Sequence, residues 1–253
     1  MTAVGIWLLG VGVADLVAGL SGEPVAGRRT AVAIASAVLL PVSLAIVLGG
    51  TAGTIVLVSA VTAATAAGWL VLRTEPRTTS GTRAVIALLY LLIVFVAVSA
   101  ISSVVTFDTD SVGARALGRL PFTRVAAAPV EEVVFLAGVI VSLFATSNAI
   151  VRLVLTAVGT QFSPAEQRLR GGRIIGPIER ILIFGLGLAG ELTAAALVIS
   201  AKGLLRYPEL SGMRAEAGPG AATSRTIDVV TEYLLIGSLT SWGLALLPLV
   251  LVR

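Results

Sequence analysis

Long apolar runs separated by short polar stretches dominate the pattern of this chain. Each run lasts roughly 18 residues or more, which is the length at which an α-helix crosses the hydrocarbon core of a bilayer. The runs show no alternation of apolar and polar residues, so membrane-spanning strands are not expected. We therefore predict an all-α, polytopic transmembrane helical bundle with about seven spans, and six spans is the alternative. The predicted spans cover residues 3–20, 30–48, 51–72, 84–107, 130–158, 174–205 and 226–252.

A polar segment at residues 108–129 divides the predicted bundle into two parts. The first part, residues 1–107, contains four spans, and the second, residues 130–253, contains three spans and a charged core. Asn148 and Arg152 interrupt the second half of the fifth run. That half is predicted to be either the protruding end of a span or an amphipathic helix at the membrane interface.

Composition agrees with a membrane protein and narrows its chemistry. The chain has 253 residues, of which 57% are hydrophobic and only 13% are charged, and its mean hydropathy is +1.01. Soluble domains carry about 25% charged residues. Cysteine and histidine are both absent, which excludes disulfides, thiolate nucleophiles, histidine acid–base catalysis and zinc sites with nitrogen or sulfur ligands. We expect the lipid bilayer as a partner, and neither a cofactor nor a metal.

The distribution of charge indicates orientation rather than nucleic-acid binding. The isoelectric point is about 10.3, but the basic residues are spread over loops without a basic stripe or an aromatic platform. The loops at residues 23–29 and 73–83 contain five arginines, whereas the turn at Gly49 has none. Because cytoplasmic loops are enriched in Lys and Arg, we predict a cell (inner) membrane protein with its N-terminus outside and, with seven spans, a cytoplasmic C-terminus.

Three charged residues are evenly spaced along one predicted span. Arg180, Glu191 and Lys202 are eleven residues apart, which is about three helical turns and would place them on one stripe. Charged residues inside a membrane are costly and usually face a protein interior or an aqueous cavity. Glu191, near the middle of the span, is either a hydrogen-bonded structural acid or a relay for a proton or cation.

More charges flank this stripe. If the last two spans form an antiparallel hairpin, basic residues on one helix would meet acids on the next at the same depth. The residues that would meet are Lys202, Arg206, Asp228 and Glu232. They are either a structural clamp or part of a working site. Glu179, which precedes Arg180 at the start of the sixth span, is a further candidate.

Secondary candidates lie outside the last two spans. Asp15 interrupts the first span and would either pair with an arginine of another span or lie near the outer interface. Glu131 and Glu132 follow Pro129 and resemble the paired-glutamate block of intramembrane prenyl-protein proteases. Those enzymes also require histidines, which this chain lacks. Acids at the N-terminus of a helix, favoured by its dipole, are the preferred interpretation.

Three sequence blocks carry a resemblance to a known family. They are GGRIIGPIER from residue 171, AKGLLRYPE from residue 201 and EYLLIGS from residue 232. In this order they resemble a signature in the C-terminal half of a family of uncharacterised bacterial multipass membrane proteins. The resemblance implies a shared site in this half, and it implies no particular reaction.

Two functions of different classes follow from these observations. The leading hypothesis is a transporter- or channel-like protein that moves or gates a small ion, a proton or a lipid-like solute through the polar core. The alternative is a non-catalytic scaffold subunit that docks a partner membrane protein, a second copy or an anionic lipid. An enzymatic role is less favoured, because a lipid-modifying enzyme would need a carboxylate pair with a bound metal, and Glu179 and Glu232 are not obviously close enough.

Overall fold

The chain forms a bundle of helices in the part that the structure describes. The computed structural model describes residues 1–19, 27–73, 81–159, 172–216 and 221–252. The helices in these ranges are α1 (Thr2–Ala18), α2 (Gly27–Val47), α3 (Ala52–Arg73), α4 (Gly81–Ile101), α5 (Val112–Leu117), α6 (Thr123–Ala126), α7 (Val130–Phe144), α8 (Thr146–Ala157), α9 (Gly172–Leu188), α10 (Leu192–Glu216) and α11 (Ala221–Val252).

The helices confirm the membrane character but not the predicted number of spans. Among the described residues, four stretches are long and apolar enough to cross a membrane. They are Arg29–Val47, Ala52–Arg73, Gly81–Ile101 and Leu234–Val252. A fifth span is formed if α7 and α8, which meet at a 47° bend, are counted together. The apolar helices Thr2–Ala18 and Leu192–Leu204 are shorter, so seven spans are not confirmed.

Helix α1 lies at the centre of the bundle, packed against α2, α3 and α7. Its approach to α7 is close because glycines face each other: a Cβ on Gly138 would lie 2.6 Å from the carbonyl oxygen of Gly5. Further along, a Cβ on Gly12 would lie 2.8 Å from Val141. The contacts advance together along both helices, so α1 and α7 run parallel. Helix α1 is thereby surrounded by protein, and twelve of its seventeen residues are buried.

The fifth predicted span is broken. Helix α7 ends at Phe144, α8 begins at Thr146, and the two differ in direction by 47°. Helix α8 packs against α4 and α11 and buries Ala149, Leu153 and Leu155. The prediction that this half protrudes from the bundle or lies at the interface is therefore wrong, because its apolar face is covered by two other helices.

The sixth predicted span is also broken. Helix α9 ends at Leu188, and Gly190 adopts a φ of 84°, a left-handed conformation that glycine adopts without strain. Helix α10 then folds back along α9. The prediction of one continuous helix over residues 174–205 is wrong, and the apolar composition conceals the turn because the turn itself contains few polar residues.

Helix α11 completes the bundle beside α8 and α9. Gly237 lies next to Leu155, and Ser241 lies next to Arg180, which in turn contacts Leu143 and Asn148. As the residue number rises along α11, the number of the neighbouring residue on α8 and α7 falls. Helix α11 is antiparallel to both, and its end at Val252 points to the end of the bundle where α1 begins.

The polar segment between α4 and α7 is anchored to the same end of the bundle. The Asp108 amide donates to the Leu48 carbonyl (3.2 Å), just after the end of α2. Ser111 caps α5 by accepting from the Ala114 amide (3.2 Å), as N-cap serines do. The terminal ammonium of Met1 donates to Ser102 Oγ (3.0 Å), so the start of α1 lies beside the end of α4.

Candidate functional site

A carboxylate lies fully buried between α1, α3 and α8. Asp15 is 0% exposed. Its Oδ1 lies 3.1 Å from Arg73 Nη1 in an ion pair, and both carboxylate oxygens lie 3.0 Å from Trp69 Nε1, which donates to them. The pairing with an arginine of another span, one of the two alternatives predicted for Asp15, is confirmed. The ion pair and the indole donor offset part of the cost of burying this carboxylate.

Trp69 and Arg73 reach Asp15 together because they are one helical turn apart on α3. Trp69 is 0% exposed and its ring packs within the largest apolar cluster of the bundle. The Arg73 side chain is itself buried beside Trp69, and its Nε makes no hydrogen bond to the described residues. The pair is therefore enclosed by protein, the setting in which charged residues of membrane helices are tolerated.

Helix α8 adds two further groups to this cluster. The hydroxyl of Thr146 and the guanidinium of Arg152 both lie near the Asp15 carboxylate. Thr146 Oγ1 is buried and meets no described acceptor or donor with normal hydrogen-bond geometry. Arg152 Nε donates to the Asn148 carbonyl (3.3 Å) one turn earlier on α8. Asn148 thereby connects the Asp15 cluster to a second polar cluster.

The second cluster occupies the break between α7 and α8. Carbonyls at the end of a helix have lost their helical partners and need others. Arg180 Nε donates to the Leu143 carbonyl (3.0 Å), and Asn148 Nδ2 donates to the Phe144 carbonyl (3.4 Å). The positive guanidinium also interacts favourably with the negative end of the α7 dipole. Two side chains thus complete the broken helix.

Arg180 joins three helices through its remaining donors. It is 3% exposed, its Nη1 donates to Ser241 Oγ of α11 (3.2 Å), and its Nη2 donates to Asn148 Oδ1 of α8. All three hydrogen-bond acceptors of this cation are neutral oxygens. A planar guanidinium suits this arrangement because its donors diverge in a fixed fork.

The two clusters form one buried polar network. Arg152 of α8 lies between them: it donates to the Asn148 carbonyl of the second cluster and is close enough to the Asp15 carboxylate of the first to attract it electrostatically. Chemically, the network provides a carboxylate, three guanidinium groups and an amide inside apolar surroundings. Among the described residues no group of three or more acids is placed to bind a metal ion.

The stripe predicted on the sixth span is not formed. Arg180 faces the core, but Glu191 is exposed in the turn between α9 and α10, so the prediction of an acid in the middle of a span is wrong. Lys202 Nζ lies on α10, where it pairs with Glu179 Oε2 of α9. The other oxygen of Glu179, Oε1, is buried without a partner among the described residues. The eleven-residue spacing would align the three side chains only on one continuous helix. The turn at Gly190 interrupts that helix, so they do not share a face.

The remaining candidates lie away from the network. Glu131 and Glu132 are exposed in the first turn of α7, where the helix dipole favours acids. Glu232 is exposed on α11. The side chains of Arg206 and Asp228 fall outside the described residues, so the predicted clamp among Lys202, Arg206, Asp228 and Glu232 stays a prediction.

Sequence analysis missed several members of the network, although signals for some were present. Trp69 and Arg73 are four residues apart in an otherwise apolar run, and Asn148 and Arg152 have the same spacing. Polar residues at i and i+4 inside apolar helices share one face, which indicates a common buried partner. Ser241 had no such signal, since serine is frequent in membrane helices without a specific partner.

Comparison with known proteins adds no further constraint: no protein-family model, no curated protein and no solved structure matches the chain.

Proposed function

We propose that this membrane protein is transporter- or channel-like, and that it moves or gates a small ion, a proton or a lipid-like solute at the buried network around the break between α7 and α8. The observation that carries the proposal is the coincidence of a broken helix with buried ionisable residues. Transporters often build their sites from discontinuous helices, and ionisable residues inside a membrane are functional candidates by default.

Asp15 is the group on which the proposed activity depends. It is the acid in the network, it forms an ion pair with Arg73 of α3, and it lies within electrostatic range of Arg152 of α8. Protonation of Asp15 would remove the negative charge that holds Arg73, and a bound cation could take the place of the Arg73 guanidinium beside the carboxylate. Arg180 has a different role in the proposal: it fixes the broken helix while the Asp15 contacts change.

The proposed orientation follows from the arginine-rich loops around residues 23–29 and 73–83. In the proposed location, the cell (inner) membrane, these loops lie in the cytoplasm, and α1 therefore begins on the outer side. The prediction of a cytoplasmic C-terminus is revised, because α11 ends at the same end of the bundle as α1 begins.

Flux measurements in proteoliposomes test this proposal. The purified chain would be reconstituted and assayed with dyes for protons, monovalent cations and chloride, and with a fluorescent phospholipid for movement between leaflets. We expect at least one flux above that of empty liposomes, lost in Asp15→Asn and retained in Asp110→Asn, an exposed acid on the polar segment. No flux from the original protein, or equal flux from both variants, would contradict the proposal.

A scaffold subunit is the second candidate, and one specific observation favours it. The buried charges already have internal partners: Asp15 pairs with Arg73, Arg180 has three acceptors, and Glu179 pairs with Lys202. Charged groups that each have at least one partner inside the protein are what a structural core would have. Gentle purification from native membrane into nanodiscs distinguishes the two: a stoichiometric membrane-protein partner, together with no flux in liposomes, would establish the scaffold.

A further inference from the structure

The segment at residues 111–128, which we call the arginine segment, carries charge of one sign. It contains Arg115, Arg119 and Arg124 and no acid. All three arginines are exposed, and none forms an ion pair with the described residues. Large apolar side chains are interleaved with them and are exposed as well. These side chains are Val112, Leu120, Phe122 and Val125.

Two helix ends fix the depth of the arginine segment in the membrane. Helix α4 has 21 residues, a length of about 30 Å, which equals the thickness of the hydrocarbon core. It ends at Ile101, and α7 enters the bundle again at Val130. Between these points the chain is therefore at the level where helices leave the hydrocarbon.

Contacts with the turn after α2 hold the segment at this level. The hydrogen bond from the Asp108 amide to the Leu48 carbonyl fixes its beginning. A Cβ on Gly113 would lie 3.1 Å from the Val47 side chain, so the first turn of α5 rests directly on the end of α2. The start of the segment is therefore held against the end of α2, and its three arginines are exposed at this end of the bundle.

We propose that the arginine segment binds the headgroups of anionic phospholipids in the leaflet at this end of the bundle. A guanidinium donates two parallel hydrogen bonds to a phosphate. Apolar side chains of an interfacial segment enter the boundary between headgroups and acyl chains. Phe122 is 65% exposed at the depth where aromatic rings are favoured. A soluble acidic partner would match the arginines but would leave these apolar side chains in water.

Lipid retention measured by native mass spectrometry tests this inference. The protein would be reconstituted in equal amounts of phosphatidylglycerol and phosphatidylcholine, extracted gently and weighed with its bound lipid. The variant Arg119→Gln/Arg124→Gln is compared with Arg29→Gln/Arg83→Gln, which removes two exposed arginines at the opposite end. Each arginine near an anionic surface contributes about fivefold in affinity, so we expect the first variant to lose its phosphatidylglycerol preference by roughly tenfold or more.

The control variant decides between a local site and a general effect of charge. Equal loss in both variants, or an unchanged preference in the first, would overturn the proposal. Loss of a co-purifying protein from the first variant, with the bound lipid unchanged, would also overturn it in favour of a protein partner.

A fluorescence measurement keeps the test independent of lipid loss during extraction. Because the chain lacks cysteine, Ala116→Cys gives a single site for an environment-sensitive dye on α5. We expect the emission to shift to the blue as phosphatidylglycerol replaces phosphatidylcholine in the nanodisc, and not to shift when Arg119→Gln/Arg124→Gln is added. The same shift in both proteins would contradict binding through these arginines.

Discussion

Asp15 illustrates how a single buried charge constrains its surroundings. Its carboxylate has no exposed surface, and its direct partners, Trp69 and Arg73, come from one turn of α3. Burial of an ion pair carries a desolvation cost that the attraction between the partners only partly offsets. Removal of one partner is much worse, because the remaining charge is left buried and uncompensated.

The Asp15–Arg73 pair therefore predicts a strong energetic coupling. We expect Asp15→Asn and Arg73→Gln each to lower the free energy of unfolding by about 3–5 kcal/mol. The double variant should cost clearly less than the sum, because neither charge is left alone. Thermal unfolding in detergent measures all three, with Asp110→Asn as the control. Additive losses would show that the pair does not act as a unit.

The sequence offered pairing with an arginine as one of two alternatives for Asp15, and it did not indicate that the arginine would be Arg73. The choice depends on the axial offset between α1 and α3, which is set by the packing of the whole bundle. Arg180 could be recognised from the sequence as an unusual residue, because it is a charge inside an apolar run. The groups that accept its hydrogen bonds could not be predicted. The Leu143 carbonyl becomes an acceptor only because α7 ends at Phe144, and the polar residues after it do not indicate which side chain would meet that carbonyl.

At the scale of elements, two breaks distinguish the bundle from a set of straight spans. Hydropathy averages over a window, and the short α9–α10 turn, with Gly190 and the single charge of Glu191, lies between two apolar helices. The sequence therefore predicts a continuous helix there. The break between α7 and α8 differs, since Thr146, Ser147 and Asn148 place polar residues at the bend. Polar side chains there supply the hydrogen bonds that the interrupted backbone lacks.

The contact between α1 and α7 provides a test at this scale. A Cβ on Gly138 would lie 2.6 Å from the Gly5 carbonyl oxygen and 2.9 Å from Leu8 Cβ, whereas a Cβ on Gly185 of α9 would have no neighbour within 4 Å. We expect Gly138→Ala to lower the free energy of unfolding by about 1–3 kcal/mol through overpacking. Gly185→Ala should be neutral or stabilising by about 0.5–1 kcal/mol. Unfolding midpoints in detergent compare them, and equal values would contradict the close packing of α1 on α7.

At the scale of the whole molecule, the connections at each end of the bundle can be assigned from contacts. Met1 lies beside Ser102, and the Asp108 amide is bonded to Leu48 at that same end. At the other end a Cβ on Gly81 would lie 3.2 Å from the Ala157 carbonyl oxygen. The membrane class and most boundaries of α1 to α4 were predictable, because they depend on local composition. The direction of α11 was not, because it depends on the unseen turn between α9 and α10.

Cysteine labelling in cells tests the proposed orientation. Ala116 and Val158 are exposed at opposite ends of the bundle. Because the chain has no cysteine, replacing either residue by cysteine gives a single labelling site. A membrane-impermeant maleimide should label Ala116→Cys in intact cells and Val158→Cys only after the membrane is opened. The reverse pattern would invert the orientation, and labelling of both sites in intact cells would contradict the assignment of the two ends.

Arg180 also limits how such a protein can change over evolutionary time. One guanidinium satisfies a carbonyl of α7, an amide of α8 and a hydroxyl of α11. A lineage that lost it would have to restore a continuous helix at residue 145 and remodel two other helices in the same step, because each partial change leaves a buried polar group without a partner. Relatives of this chain should therefore keep the arginine together with the helix break, or lose both together.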